Sequence, residues 1–379
     1  MLSNIKSTLS RNLTNALGWK TNRKIIVIES DDWGSIRMPN QKVRENFIKK
    51  GYDLGNNPYC KYDTLANTDD LNALFDVLTK FKSDSGHHPK ITFNTVVANP
   101  DFEKIRASNF KEYSYEPFTT ILKNYYPKED VFGLWQEGIE ACFIKPQFHG
   151  REHVNVPKWL EELRKQNKPI LDAFNYSFWG LPYDIYQPNS LNIQASYDSE
   201  NKKDTEFYKD SISEGLELFE TIFKFRSKSF IANNYVWASE LNYTLKENGV
   251  DYLQGMKYQK FPIVNPNKTR AKKSLYTGLI NTNHQIHLVR NCVFEPSQYP
   301  NQDNVSKCMS QINQAFVFNK PAIITMHRLN FIGALSEKNR NQNHQDLKSL
   351  LSKIIQKWPD VEFMASDELG DLIKENKNK

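Results

Sequence analysis

Short apolar runs alternate along the chain with amphipathic stretches. The first, Lys24-Ile25-Ile26-Val27-Ile28, is too short for a helix and rich in β-branched residues, so it predicts a buried strand. Similar runs follow at residues 90–97 (KITFNTVV), 143–148 (FIKPQF), 169–174 (PILDAF), 229–232 (SFIA), 249–253 (GVDYL), 286–289 (IHLV) and 322–326 (AIITM). Between them the spacing turns helical. Residues 69–81 place Leu71, Leu74, Phe75, Leu78 and Phe81 on one face behind a Thr68 N-cap, and residues 157–166 open with Pro157 at the first helical position. Residues 211–224, 239–248 and 345–357 read as further helices, and the polar stretch 336–346 reads as a loop. Strands that alternate with helices predict an α/β fold with a parallel sheet. Seven or eight such units predict a closed or nearly closed (β/α) barrel. No Gly-rich phosphate-binding loop follows the first strand, which counts against Rossmann and P-loop folds.

Before the first strand, Leu2, Ile5, Leu9, Leu13 and Leu17 recur at helical spacing and predict a helical extension over residues 1–23. Its apolar stripe is expected to pack on the protein. With Lys6, Arg11 and Lys20 between the leucines, a membrane-surface helix is the competing reading. Residues 24–379 are expected to form a single barrel domain. The net charge of +6 is spread along the chain and carries no nucleic-acid footprint. Cys60, Cys142, Cys292 and Cys308 show no CxxC spacing and read as reduced, buried thiols. No stretch approaches the ~20 apolar residues of a membrane span, and the N-terminus lacks a signal-peptide core, so a cytoplasmic protein without a transmembrane segment is expected.

Catalytic groups in α/β barrels come from the C-terminal ends of the strands, which open onto one face. Three predicted strand ends carry suitable residues. Asp31-Asp32 closes the first run, and two adjacent carboxylates near a barrel core call for a cation. The other acidic pair, Asp69-Asp70, is explained by the start of a helix. His149-Gly150-Arg151-Glu152-His153 follows the third run; a helical turn there would bring both imidazoles to one side, and Gly150 permits a sharp turn. Two imidazoles and one carboxylate of the Asp31-Asp32 pair form a three-ligand set that suits a divalent metal, zinc first, with positions left for water and substrate. His327 ends the last run. His87, His88, His284, His287 and His344 read as structural.

The order of these groups resembles the polysaccharide deacetylase family, carbohydrate esterase family four. That family's T-F-D-D-G corresponds to Glu29-Ser30-Asp31-Asp32-Trp33-Gly34, its H-(S/T)-x-x-H to His149–His153, and its L-x-H to Thr325-Met326-His327. The resemblance implies a distorted, often seven-stranded barrel. It also implies Asp31 as general base, Asp32, His149 and His153 as metal ligands, and His327 as general acid. The family's third motif would supply an arginine that orients the base; Asn233-Asn234-Tyr235-Val236-Trp237 stands in its place, leaving Arg290 or Arg328 to substitute.

The resemblance implies hydrolysis of an N-acetyl group on a sugar, glycan or nucleotide-sugar. Trp33, Trp179, Tyr183, Tyr235 and Trp237 are the aromatic residues expected to stack on the carbohydrate, with Arg290 and Arg328 as further contacts. Two other readings stay open: amide, ester or formyl hydrolysis on a small metabolite, and a glycan-binding barrel without turnover.

Overall fold

The computed structural model describes residues 15–55, 57–186, 192–199, 201–262 and 270–377. Nine strands, paired in parallel throughout, form its main sheet. They are β1 (Ile25–Trp33), β2 (Ile91–Thr95), β3 (Ile144–Phe148), β4 (Ser229–Phe230) and β5 (Tyr252–Gly255). The remainder are β6 (Ile286–Val289), β7 (Cys292–Val293), β8 (Ala322–His327) and β9 (Glu362–Met364). Their order is β6-β5-β4-β3-β2-β1-β8-β7, with β9 beside the first residues of β1.

The strands at the two ends of this order are consecutive in the chain. Arg290 N donates to Gly255 O of β5, and the next residue, Asn291, donates to Ile323 O of β8. Residues 286–293 therefore change partner within one step, and the sheet curls back on itself as a distorted barrel. Most helices cover its outside. Ile26 and Ile28 of β1 pack outward with Leu71 and Leu74 of the Thr68–Leu78 helix and Leu347 and Leu350 of the Glu337–Lys357 helix. Ile25 and Val27 point the other way, to Leu288, Ile323 and Leu369, and the Ser366–Lys377 helix plugs that end. Above this apolar floor the interior is polar. Glu29, Asn94, Gln147, Ser229, Gln254 and Arg290 are all buried, and each is hydrogen-bonded to another of the set.

Several local expectations are overturned. Residues 169–174 are not a strand but most of the Lys168–Phe174 helix, with Pro169 in its first turn and Ile170, Ala173 and Phe174 on the buried face. A short apolar run carries no period of its own that separates the two states. Residues 336–346 are not a loop: Ser336 caps the Glu337–Lys357 helix, whose one inward stripe includes Asn343, His344 and Leu347. His344 stacks on Phe331 with ring centroids 5.7 Å apart. Cys142 is exposed, unlike the other three cysteines, and all four are free thiols. Of the apolar stripe expected over residues 1–23, Leu2, Ile5, Leu9 and Leu13 lie outside the described residues, and Leu17 is exposed. No helix among the described residues is long and apolar enough to cross a membrane.

The Asp69-Asp70 pair divides its labour. Asp69 is exposed, whereas Asp70 completes a capping box with Asn67 and also accepts from Gly333 N (2.8 Å) and Arg340 Nη1 (2.9 Å). Asp70→Ala should cost about 1–3 kcal/mol of stability, because it orphans donors from two distant segments. Asp69→Ala should stay within about 0.5 kcal/mol. Urea denaturation of both variants checks this, and equal losses would show that neither the capping box nor the bonds to Gly333 and Arg340 make Asp70 more important to stability than Asp69.

Candidate active site and metal centre

Side chains along a strand alternate between the two faces of the sheet. Odd-numbered residues of β1 face the barrel interior, so Asp31 follows Glu29 inward and Asp32 would fall outside. A register shift between Ser30 and Trp33 changes this. Asp32 takes φ +74°, a left-handed conformation that Asp tolerates better than most residues, and both carboxylates reach the same cavity. The same bulge sends Trp33 outward, where it stacks on Phe93 at 3.6 Å and donates from Nε1 to Ser30 Oγ.

His149 and His153 stand on an irregular loop after β3, not on the helical turn expected. His149 N donates to Thr95 O, and Val97 N and Ala98 N donate to Gly150 O and Arg151 O, so the loop is laced to the chain after β2. Gly150 has φ +116°, and a Cβ there would lie 3.0 Å from Glu152 O and Tyr197 Oη. Arg151 and Glu152 turn away from the cavity and pair with each other at 2.6 Å.

Asp32 Oδ1 lies 3.3 Å from His149 Nε2 and 3.0 Å from His153 Nε2. Ligand atoms of these three residues all fall within 4.8 Å of one another. His149 Nδ1 donates to Ile231 O at 2.9 Å, which turns Nε2 and its lone pair toward Asp32. Burial pulls the His153 imidazole down to about 4 against the opposing pull of Asp32, so it is neutral and available as a ligand near pH 7. Burial would raise the Asp32 carboxyl, but Arg37 and the two histidines outweigh it and hold it well below the usual range. Two imidazoles and an ionised carboxylate, converging on one point, fit a divalent cation.

Asp31 is held differently. Arg290 donates from Nη1 to Oδ2 and from Nη2 to Oδ1, both at 2.7 Å, and Asn94 Nδ2 donates to Oδ1 at 2.8 Å. Arg290 Nε binds Glu29 Oε2 at 2.5 Å. Burial pushes Asp31 upward; Arg290, with smaller help from His149 and His327, outweighs it and leaves the carboxyl below its ordinary value. Of the two sequence candidates, Arg290 and Arg328, it is Arg290 that holds Asp31, while Arg328 bonds Asp63.

β1 and β8 pair with Asp31 opposite His327, and His327 Nε2 lies 3.9 Å from Asp31 Oδ2. On its other side, His327 Nδ1 donates to Glu295 Oε1 at 2.5 Å. Burial pulls this imidazole down, but Glu295, then Asp32 and Asp31, reverse the shift and raise it to about 9. All five groups line one cavity of about 290 Å³, together with Arg37, Tyr59, Gln194, Tyr235 and Gln298.

With this geometry in place, comparison with known proteins bears on the fold. No family model matches the chain, and no curated protein sequence matches it. Among solved structures it is similar to a candidate glycoside hydrolase/deacetylase from Parabacteroides distasonis, with a TM-score of 0.50 at 10% identity over 95% of this chain and 73% of that one. The likeness is one of fold, a distorted (β/α) barrel. A candidate polysaccharide deacetylase from Mycobacterium smegmatis aligns at TM-score 0.47 and 10% identity, over 96% and 94% of the two chains. A 4-α-glucanotransferase from Thermococcus litoralis aligns at 0.47 and 10%, over 91% of this chain and 40% of its own.

Most of the expected substrate contacts do not face the cavity. Trp33 and Trp237 belong to the outer hydrophobic core, and Trp237 Nε1 is satisfied by Asn242. Trp179 is buried behind His153, stacked on its ring at 5.3 Å, and Tyr183 packs beside the same cluster. Arg328 is buried against Asp63 (2.8 Å). Arg290 is buried beneath Asp31, and Tyr235 alone of the set lines the cavity. Sequence reasoning missed Glu295, Arg37, Tyr59 and Gln194. Glu295 follows the two-residue β7, and a strand-end search that included so short a strand would have found it.

Because Arg290 is, among the described residues, the only cation hydrogen-bonded to both Glu29 and Asp31, Arg290→Met should lower stability by about 3–5 kcal/mol, the cost of depriving two buried carboxylates of their shared partner. Thermal and chemical denaturation test this; a loss under about 1 kcal/mol would show that both carboxyls accept protons cheaply.

Proposed function

We propose that the protein is a metal-dependent hydrolase that removes N-acetyl groups from a carbohydrate. The observation that carries this reading is the pairing of Asp31 with His327 across β1 and β8, beside the Asp32–His149–His153 cluster and in the same cavity. A bound divalent cation, with zinc best suited to two imidazoles and a carboxylate, would supply Lewis acidity toward the acyl oxygen and a nearby water.

The chain's own groups supply the proton movements. Asp31, locked in orientation by Arg290 and Asn94 and kept ionised, accepts the proton of the attacking water. His327 is protonated at neutral pH, with Nδ1–H committed to Glu295, so its Nε2–H is the proton available to a leaving amine. A base held below its ordinary pKa and an acid held above it, side by side, are the division that amide hydrolysis needs. Tyr299 is partly exposed at the cavity edge, and with Gln194, Gln298 and Tyr59 it offers the mixed aromatic and amide surface that suits a sugar ring. Acetate release from N-acetylated oligosaccharides and nucleotide-sugars by zinc-loaded protein tests the reading, and formyl analogues separate it from deformylation. Absence of acetate from the whole panel would refute it.

Two predictions divide the roles. Asp32→Asn, His149→Ala and His153→Ala should each lose metal by elemental analysis, whereas Asp31→Asn should keep it and lose turnover. Loss of metal in Asp31→Asn would overturn the division of the pair. His327→Ala should retain metal and reduce turnover about 10²- to 10⁴-fold on an N-acetyl sugar, with a smaller defect on an aryl acetate, whose phenolate leaves without a proton. In the wild type, turnover should fall as pH rises through about 9, where His327 loses its proton. Stability should move in the same sense. A folded-state pKa above the ordinary 6.5 contributes stability that is complete below 6.5 and lost through about 9. A pH profile flat to above pH 10 would exclude His327 as the acid.

A further inference from the structure

Four buried charges form an alternating chain that ends on a candidate metal ligand. Arg328 Nε donates to Asp63 Oδ1 at 2.8 Å, Arg37 Nε lies 3.2 Å from Asp63 Oδ2, and Arg37 Nη2 donates to Asp32 Oδ2 at 3.1 Å. Their side chains are at most 5% exposed. Such a chain is not what stability alone selects, since well-packed apolar residues of similar volume commonly serve as well or better. Arg37 is fixed by more than charge. Its Nη1 donates to Gln194 Oε1 at 2.8 Å, and its guanidinium carbon lies 4.3 Å from the centre of the Tyr59 ring. Tyr59 and Asp63 come from the Pro58–Tyr62 helix and its C-cap, in the long segment between β1 and β2.

We propose that Arg37 is a positioning residue that keeps Asp32 a one-oxygen donor to the cation, an inference that rests on the metal reading above. Asp32 turns Oδ1 toward both imidazoles and gives Oδ2 to Arg37. While the guanidinium holds Oδ2, the carboxylate cannot close on an ion with both oxygens, and positions stay open for water and an acyl oxygen. The fixed positive charge also weakens the hold on the ion and keeps the ion a stronger Lewis acid. Remove Arg37 and the second oxygen is released: the ion is bound more tightly and polarises its ligands less.

The sign of the metal effect separates this role from simple structural support. The test uses the full chain, with zinc affinity measured by calorimetry, the visible spectrum of the cobalt-substituted protein, and acetate release. Arg37→Met should bind zinc about tenfold more tightly or better, alter the cobalt spectrum, and lose about 10- to 100-fold in turnover. Arg37→Lys, which keeps a cation on Oδ2, should return affinity and spectrum toward wild type. Should Arg37→Met fail to fold, the Arg37→Met/Asp63→Asn double variant removes the charge imbalance and should show the same tightening. Weaker zinc binding in the Met variants would overturn the proposal in favour of a brace for the ligands. Affinity and spectrum unchanged from wild type would overturn it as well, while leaving the metal reading intact. A wild-type chain that binds neither zinc nor cobalt would overturn the metal reading and this inference with it.

Discussion

Arg290 sits where the barrel closes and where its charge is most needed. Residues 286–293 pass from β5 to β8, and Arg290 is the residue at which the switch occurs. Its side chain turns inward to bind Glu29 and Asp31, two carboxylates on the same face of β1 that could not both stay ionised in an apolar interior. Thr325 of β8 and Tyr235 also accept from it. The closing seam, the central strand and the candidate base are thereby tied to one guanidinium. Asp31 consequently has little freedom to turn, which suits the role of general base proposed for it.

The remaining electrostatics follow from this arrangement. Asp31 and Asp32 are neighbours, yet each has its own arginine: Arg290 from the seam and Arg37 from the loop after β1. Separate partners let both remain ionised side by side, whereas a carboxylate pair left to itself would share one proton. His327 is raised and His153 is lowered in the same cavity because their surroundings differ: Glu295 touches the first, while desolvation dominates the second. One imidazole is thereby protonated at neutral pH and the other keeps its lone pair.

Part of the cavity wall comes from outside the barrel's alternating units. Arg37 and Tyr59 belong to the segment between β1 and β2, and Gln194 to the segment between β3 and β4. Such segments carry no strand or helix period that links them to the site, and their side chains reach it only because the chain folds back over the strand ends. Aromatic content was a poor guide for a related reason. Trp33 and Trp237 fill the space between sheet and helices, where large rings contribute most by burial.

The sequence by itself determined the alternation of strands and helices, and with it the parallel barrel, because the period of apolar residues is a local property. It also determined which strand ends carry Asp31, Asp32, His149, His153 and His327, since those residues directly follow or end the apolar runs. Only the tertiary structure decided that both aspartates share one cavity, because that depends on a register shift that sequence alternation cannot express. It alone chose Arg290 over Arg328 as the partner of Asp31. Those two arginines lie 38 residues apart (328 − 290), and nothing in their local patterns distinguishes them. Which carboxylate each one meets is set by where the barrel closes, and closure is a long-range event made of contacts between residues far apart in the chain.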